Sequence, residues 1–200
     1  MNLCLETLCI RSNLIDDISY HDARFNETRK KLFHQTKFQS LEELISMPNN
    51  LESGRVYRCR VLYKENIEKI EFIPYEWKSI RKIKLIEIPG DFDYTYKWAN
   101  RSFFSKILSE NAEADEVLMV KNGFITDCTI ANVVLFDGKD WFTPSTPLSQ
   151  GTRRAKLLSE KKIKIAEIKI NDLKNYDKLV LINTFRDLDE TAHIPVSEIF

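Results

Sequence analysis

The sequence predicts an α+β fold arranged as two lobes. Strand-length apolar runs such as "NVVLF" and "LVLIN" share the chain with amphipathic stretches of helical length. A Pro89-Gly90 break falls near the middle, with no internal repeat or low-complexity tract on either side of it. The expected division is a small α+β lobe over residues 1–90, a connecting segment over 91–94 and a larger α+β lobe over 95–200. A site between the lobes is the default expectation.

In the first lobe, "LCLETLCI" reads as a strand. "YHDARFNETRKKLFHQ" reads as a helix with Tyr20, Phe25, Leu32 and Phe33 on its inner face. "SLEELISM" opens with Ser40 and Glu43 in capping-box spacing, which predicts a short helix. "RVYRCRVLY" alternates, with Tyr57, Cys59, Val61 and Tyr63 on one face and Arg58 and Arg60 on the other. "IEKIEFIPY" and "RKIKLIEI" continue the strand-rich region.

In the second lobe, "SFFSKILSE" is a helix, and "EVLMV" and "FITD" are strands joined by a "KNG" turn. "ANVVLF" and "WFT" follow as strands around "DGKD", and a loop rich in Pro and Ser comes next. "GTRRAKLLSEKK" is a helix with Gly at its mouth, and "IKIAEIKI" and "KLVLIN" are strands.

Composition narrows the function. Thirty acidic residues balance thirty basic ones, so the chain carries neither a nucleic-acid footprint nor a polybasic membrane patch. Its apolar runs are too short to span a bilayer. "MNLCLETLCIRS" shows no basic leader, apolar segment and cleavage site, so no secretory signal is expected. The four cysteines form no CxxC pair and no Cys/His metal spacing. They read as reduced, mostly half-buried thiols of a cytoplasmic protein, and no metal is expected. With five glycines in all, GxGxxG and Walker loops are excluded.

Several stretches hold residues suited to chemistry. In "DYTYKWANRSFF", Lys97 stands among Tyr94, Tyr96 and Trp98. An amine kept from water becomes a nucleophile, although a lysine snorkelling past rings has the same local sequence. In "TPSTPLSQGTRRAKLL", two prolines stiffen a loop that ends at Gly151. The N–H groups of Thr152, Arg153 and Arg154 then open a helix, which makes either a phosphate site or an ordinary basic helix start. In "GFITDCTIANVVLF", Asp127 lies amid apolar residues with Asn132 five positions later. It is either a carboxylate with a cationic partner or a turn residue. His21 and Arg24 share one helix face, either gripping a phosphate or lying solvated. Asn183 and Thr184 sit where a buried strand ends.

Taken in order, the HxxR helix, the lysine before Asn-Arg, the acid five before Asn, the TP loop with its Gly-headed helix and the late "LINT" strand end resemble the class IV aminotransferase family. Its members include branched-chain and D-amino-acid aminotransferases and 4-amino-4-deoxychorismate lyase. The resemblance implies a two-lobed, D-amino-acid-aminotransferase-like fold, trimmed at its N-terminal side, that binds pyridoxal 5'-phosphate. It implies that Lys97, in the larger lobe, forms the Schiff base with the cofactor, and that Asp127 pairs with the pyridine nitrogen. Asn132 and Gly151 belong to the same cofactor site. Arg24, the backbone at Thr152 and Arg153, and the Thr184 hydroxyl form the phosphate cup.

The chain departs from the family pattern at three points. Asp127 replaces the usual Glu, the opening strands are absent, and no Gly-rich "RG…GY" segment occurs near Arg58 and Arg60. Those two arginines become the candidates for the substrate carboxylates. "K-x-x-N-R" resembles the lyase more than the "K-x-G-G-N" of branched-chain enzymes. The expected reaction is therefore release of pyruvate from 4-amino-4-deoxychorismate, giving 4-aminobenzoate for folate. A D-amino-acid or branched-chain type aminotransferase is the alternative, and a non-catalytic cofactor-binding or interaction protein is a further one. The expected partners are a small-molecule amine and a second copy in a homodimer, with Tyr57, Tyr63, Tyr75 and Trp77 as interface anchors.

Overall fold

The computed structural model describes residues 2–189 and 191–200. It divides into two compact units, Met1–Trp77 with Tyr96–Asn100, and Lys78–Thr95 with Arg101–Phe200.

The first unit is built on β1 (Cys4–Arg11), β2 (Leu14–Ile15), α1 (Ile18–Phe33), α2 (Leu41–Leu44), β3 (Tyr57–Tyr63) and β4 (Ile67–Pro74). The strands form an antiparallel sheet in the order β2-β1-β3-β4. Strict alternation along β3 buries Tyr57, Cys59, Val61 and Tyr63 and turns Arg58 and Arg60 to the other face. The buried face packs against α1, where Phe25 meets Tyr63 edge-on at 4.7 Å between ring centroids. Tyr57 and Tyr63 are thus core residues, which removes them as interface anchors. Such rings bury too much apolar area to be left for a partner when α1 already covers them.

The capping box expected at Ser40 and Glu43 does not form among the described residues. The α2 start is capped from α1 instead: Asp22 Oδ1 accepts the Leu41 N–H at 2.7 Å, and Asp22 Oδ2 accepts Ser40 Oγ at 3.2 Å. A buried carboxylate in the helix above outcompetes the local serine.

The second unit holds β5 (Ile83–Ile88), α3 (Ser102–Ser109), β6 (Glu116–Lys121), β7 (Phe124–Cys128), β8 (Asn132–Phe136), β9 (Trp141–Pro144), α4 (Thr152–Ser159), β10 (Lys164–Ala166), β11 (Lys178–Ile182) and β12 (Ile194–Pro195). Strands β5 and β6 run parallel through the α3 crossover, as do β9 and β10 through α4. Between β6 and β7, Asn122 and Gly123 both take positive φ, which is the primed hairpin turn that "KNG" predicts. The apolar runs of β8 and β11 pair antiparallel and are buried on both faces. Val133, Leu135, Leu179 and Leu181 enter one core, while Val134, Val180 and Ile182 enter another with Leu157 of α4.

This partition corrects the expected lobe boundaries. Because β5 pairs with β6, residues 78–90 belong to the second unit rather than to the first lobe. Residues 96–100, expected in the larger lobe, return to the first unit through Leu5 N–H to Lys97 O (3.0 Å) and Ala99 N–H to Leu3 O (2.8 Å). The "IKIAEIKI" strand is also cut short. Only Lys164–Ala166 is extended, and Ile170–Asn175 is a 3₁₀ turn. All four cysteines are free and fully buried rather than half-buried, and burial pushes Cys4, Cys9 and Cys59 up to about 12, away from thiolate chemistry.

Candidate active site

Strands β7 and β8 pair at a single position, Asp127 opposite Asn132. The chain reverses between them in a tight turn closed by Cys128 N–H to Ala131 O at 2.9 Å. Further along, β8 pairs with β9 instead. The loop from β9 to α4 passes this fork, and its backbone grips the acid. Asp127 Oδ2 accepts N–H bonds from Leu148 (2.8 Å) and Ser149 (3.1 Å), and Oδ1 accepts Asn132 Nδ2 at 2.7 Å. The same Asn132 nitrogen donates to Ser149 O at 2.9 Å. Burial nevertheless pushes the Asp127 carboxyl up to about 6, against the downward pull of these hydrogen bonds and of Arg154.

Arg154 clamps the loop to the helix. Its guanidinium donates to Thr143 Oγ1 (3.1 Å), Pro144 O (3.0 Å) and Gln150 Oε1 (2.9 Å). Gly151 is the N-cap of α4 in extended conformation, φ −67° and ψ 143°. Its lack of a side chain is a matter of space, since a Cβ there would overlap Asn132 Oδ1. Asn132 therefore touches the acid, the loop and the helix mouth together.

The first N–H groups of α4, on Thr152, Arg153 and Arg154, point outward at the positive end of the helix dipole, as in any helix. The Arg153 side chain turns to Asp187, Nη1 to Oδ2 at 2.6 Å, so its part in an anion site would be its backbone. Three buried hydroxyls of this unit, Ser149 Oγ, Thr184 Oγ1 and Thr191 Oγ1, meet no hydrogen-bond partner among the described residues. A buried hydroxyl without a partner is costly unless a bound group satisfies it. Asn183, by contrast, is spent on the fold, its side chain bonding Ile130 O (3.0 Å) and Phe185 N–H (2.8 Å).

Lys97 belongs to the first unit, held beside β1 and half-buried, with φ at 51°. Next to its anchor Leu5 stands Glu6, which is fully buried. Arg24 donates to it as a fork, Nε to Oε1 at 2.7 Å and Nη2 to Oε2 at 2.6 Å, and His21 Nδ1 lies 2.7 Å from Oε2. Burial opposes ionisation of Glu6, but Arg24 and His21 outweigh it and hold the carboxyl at about 2. Burial lowers the His21 pKa, with the Glu6 bond acting upward and the charges of Arg24 and Lys97 adding to the depression.

The two candidate substrate arginines differ. Arg60 Nη1 is paired with Glu71 Oε2 at 2.8 Å, whereas Arg58 Nε is buried without a partner among the described residues.

Sequence reasoning missed Glu6, yet the signal was present. It falls in phase with Cys4, Leu8 and Ile10, a charge on the core-facing side of a strand. It also missed the structural role of Arg101. That side chain donates to Thr129 O (2.7 Å) and Tyr94 Oη (3.2 Å) and stacks on Phe104, so it braces the turn that follows Asp127.

A Haemophilus influenzae protein of uncharacterised function is 34% identical over 185 residues, spanning 92% of this chain and 97% of its own. The crystal structure of a proposed 4-amino-4-deoxychorismate lyase from Haemophilus somnus superposes with a TM-score of 0.85 at 32% identity, covering 94% of this chain and 98% of that one. A hypothetical aminotransferase from Mycobacterium tuberculosis in its PLP-bound form shares the fold, with a TM-score of 0.73 at 14% identity, over 96% of this chain and 80% of that one. The sequence pattern of class IV amino-transferases matches residues 4–194, and the chain belongs to that family.

Proposed function

We propose that this chain is a lyase that releases pyruvate from 4-amino-4-deoxychorismate and leaves 4-aminobenzoate, a folate precursor. The observation that carries this reading is the end-to-end likeness, at 32% identity, to the Haemophilus somnus protein for which that activity is proposed. The family to which the chain belongs is one of enzymes that depend on pyridoxal 5'-phosphate.

The residues fit that cofactor. The buried Thr184 hydroxyl has no partner among the described residues, the side-chain-free Gly151 opens a helix, and Asp127 is a buried acid fixed on three sides. Thr184, the α4 N–H groups of Thr152 and Arg153, and Arg24 would hold the phosphate. Asp127 would hold the ring nitrogen, kept in place by Asn132 beside Gly151. Lys97 would carry the covalent link to the cofactor and move a proton at the substrate Cα. The bound cofactor supplies an electron sink for charge that develops at that carbon. Of the two candidate arginines, Arg58 would face a substrate carboxylate, because Arg60 is already paired with Glu71.

A homodimer is part of this proposal. Trp77, which is 53% exposed, and Tyr75 beside it remain as aromatic anchors. Light scattering on the purified protein should give twice the chain mass, and a monomer with full activity would remove the dimer.

The decisive assay incubates the cofactor-loaded protein with 4-amino-4-deoxychorismate, and in parallel with D- and branched-chain amino acids plus a keto-acid acceptor. Stoichiometric pyruvate and 4-aminobenzoate are expected from the first. Amino-group transfer in the second, with no pyruvate in the first, would make the protein an aminotransferase.

A further inference from the structure

We propose that Glu6 is a positioning residue for the cofactor phosphate, acting through Arg24. The inference rests on the reading of Arg24 as a phosphate ligand and extends it by one residue.

The geometry is that of a preset arm. Glu6 is wholly buried on β1, and both of its oxygens face the guanidinium, at 2.7 and 2.6 Å. A two-point fork fixes the plane of the guanidinium as well as its place, which a single hydrogen bond would not do. His21, also fully buried, closes the remaining side of the carboxylate at 2.7 Å. The carboxylate cannot swing away without leaving two buried partners unsatisfied. Arg24 itself keeps 14% of its side-chain surface exposed, so the fork is anchored inside the unit while the arm still reaches its surface.

The neighbouring residue on the same strand serves Lys97. Leu5 N–H holds the Lys97 carbonyl at 3.0 Å, and Trp98 bridges to Cys4. Consecutive residues of β1 therefore fix the backbone of one candidate cofactor residue and the side chain of another. A binding group held by a rigid strand loses little entropy when its ligand arrives. The ionised state of Glu6, held down to about 2, keeps the fork charged throughout the working pH range. A purely structural ion pair would also be buried and paired, so the test must separate positioning from folding.

Pyridoxal, which lacks the phosphate, provides that separation. Dissociation constants for pyridoxal 5'-phosphate and for pyridoxal are measured by absorbance titration of the full chain, and their ratio is compared among variants. Glu6→Gln should weaken pyridoxal 5'-phosphate roughly tenfold while leaving pyridoxal within about twofold. Arg24→Ala should collapse the same ratio, and Glu6→Gln added to it should change the ratio no further. If Glu6→Gln fails to fold, Glu6→Asp carries the test, because it keeps the charge and withdraws the fork by one methylene. An equal loss of both ligands, or an unchanged ratio in the Glu6 variants beside a collapsed one in Arg24→Ala, overturns the positioning role alone. An unchanged ratio in Arg24→Ala overturns the phosphate reading of Arg24 and the inference with it.

Discussion

Asn132 Nδ2 reaches Asp127 Oδ1 at 2.7 Å across the one position where β7 and β8 pair. The amide does not neutralise the acid. It orients it, while two loop N–H groups take the second oxygen. Asp127→Asn keeps the shape and removes the charge that would hold a pyridine nitrogen protonated. Turnover should fall by roughly two orders of magnitude or more, with cofactor still bound. Steady-state kinetics beside a cofactor titration checks this, and near-normal turnover would mean that the carboxylate does not touch the ring.

The same carboxyl makes the cofactor-free protein sensitive to pH. Its folded pKa is raised by burial to about 6 from an ordinary 3.8, so the folded state favours the protonated form. The stability this contributes is fully present below 3.8 and is lost as pH rises through about 6. The gap corresponds to roughly 3 kcal/mol at most. Chemical denaturation of the apoprotein should show this decline between pH 4 and 7, and Asp127→Asn should remove it. A pH dependence that persists unchanged in the variant would assign the effect to another group.

Gly151 is required by space rather than by backbone conformation. A methyl group there would displace the Asn132 side chain, and with it the alignment of Asp127 and the loop. Gly151→Ala should cost about 1–3 kcal/mol of stability, as overpacking does, and weaken cofactor binding as well. Thermal unfolding and absorbance titration would report the two effects. A variant with native stability and affinity would show that the helix mouth has slack.

Much of this was legible in the sequence, and what failed did so for identifiable reasons. The strict alternation of β3 and the "KNG" hairpin are local patterns, and both formed. The five-residue spacing from Asp127 to Asn132 singled out two residues that the structure joins directly. Strand β5 also reads locally as a strand, but its partner β6 lies beyond α3, and no local pattern names a parallel partner. Ser40 lost its capping role to Asp22, which is near in space but far in sequence. The grip of Leu148 and Ser149 on Asp127 uses backbone N–H groups, which side-chain identity does not reveal.

Lys97 occupies the left-handed region, φ 51°, where a side chain carries a penalty of about 1–2 kcal/mol. Lys97→Gly should therefore stabilise the apoprotein by up to about 1 kcal/mol while abolishing covalent attachment of the cofactor. Borohydride treatment followed by peptide mass spectrometry should find the reduced cofactor on Lys97 in the native chain and on no residue in the variant. An adduct on another lysine would displace Lys97 from its role.

Arg58 and Arg60 share one face of β3, yet they are not equivalent. Arg60 is ion-paired to Glu71, which Lys69 also engages at 2.7 Å, so its charge is already answered within the sheet. Arg58 Nε is buried without a hydrogen-bond acceptor among the described residues, an arrangement that costs free energy unless an anion completes it. A substrate carboxylate is the anion the proposed reaction provides. Arg58→Ala should then raise KM for 4-amino-4-deoxychorismate by roughly tenfold to a hundredfold, the range for a lost charge-assisted bond, with a smaller effect on kcat. Arg60→Ala should change KM by about twofold or less, because its guanidinium is already engaged by Glu71 across the sheet. The two variants measured side by side control for loss of positive charge on this face. Equal effects would point to general electrostatic attraction rather than a specific contact, and an unchanged KM in Arg58→Ala would remove Arg58 from the substrate site.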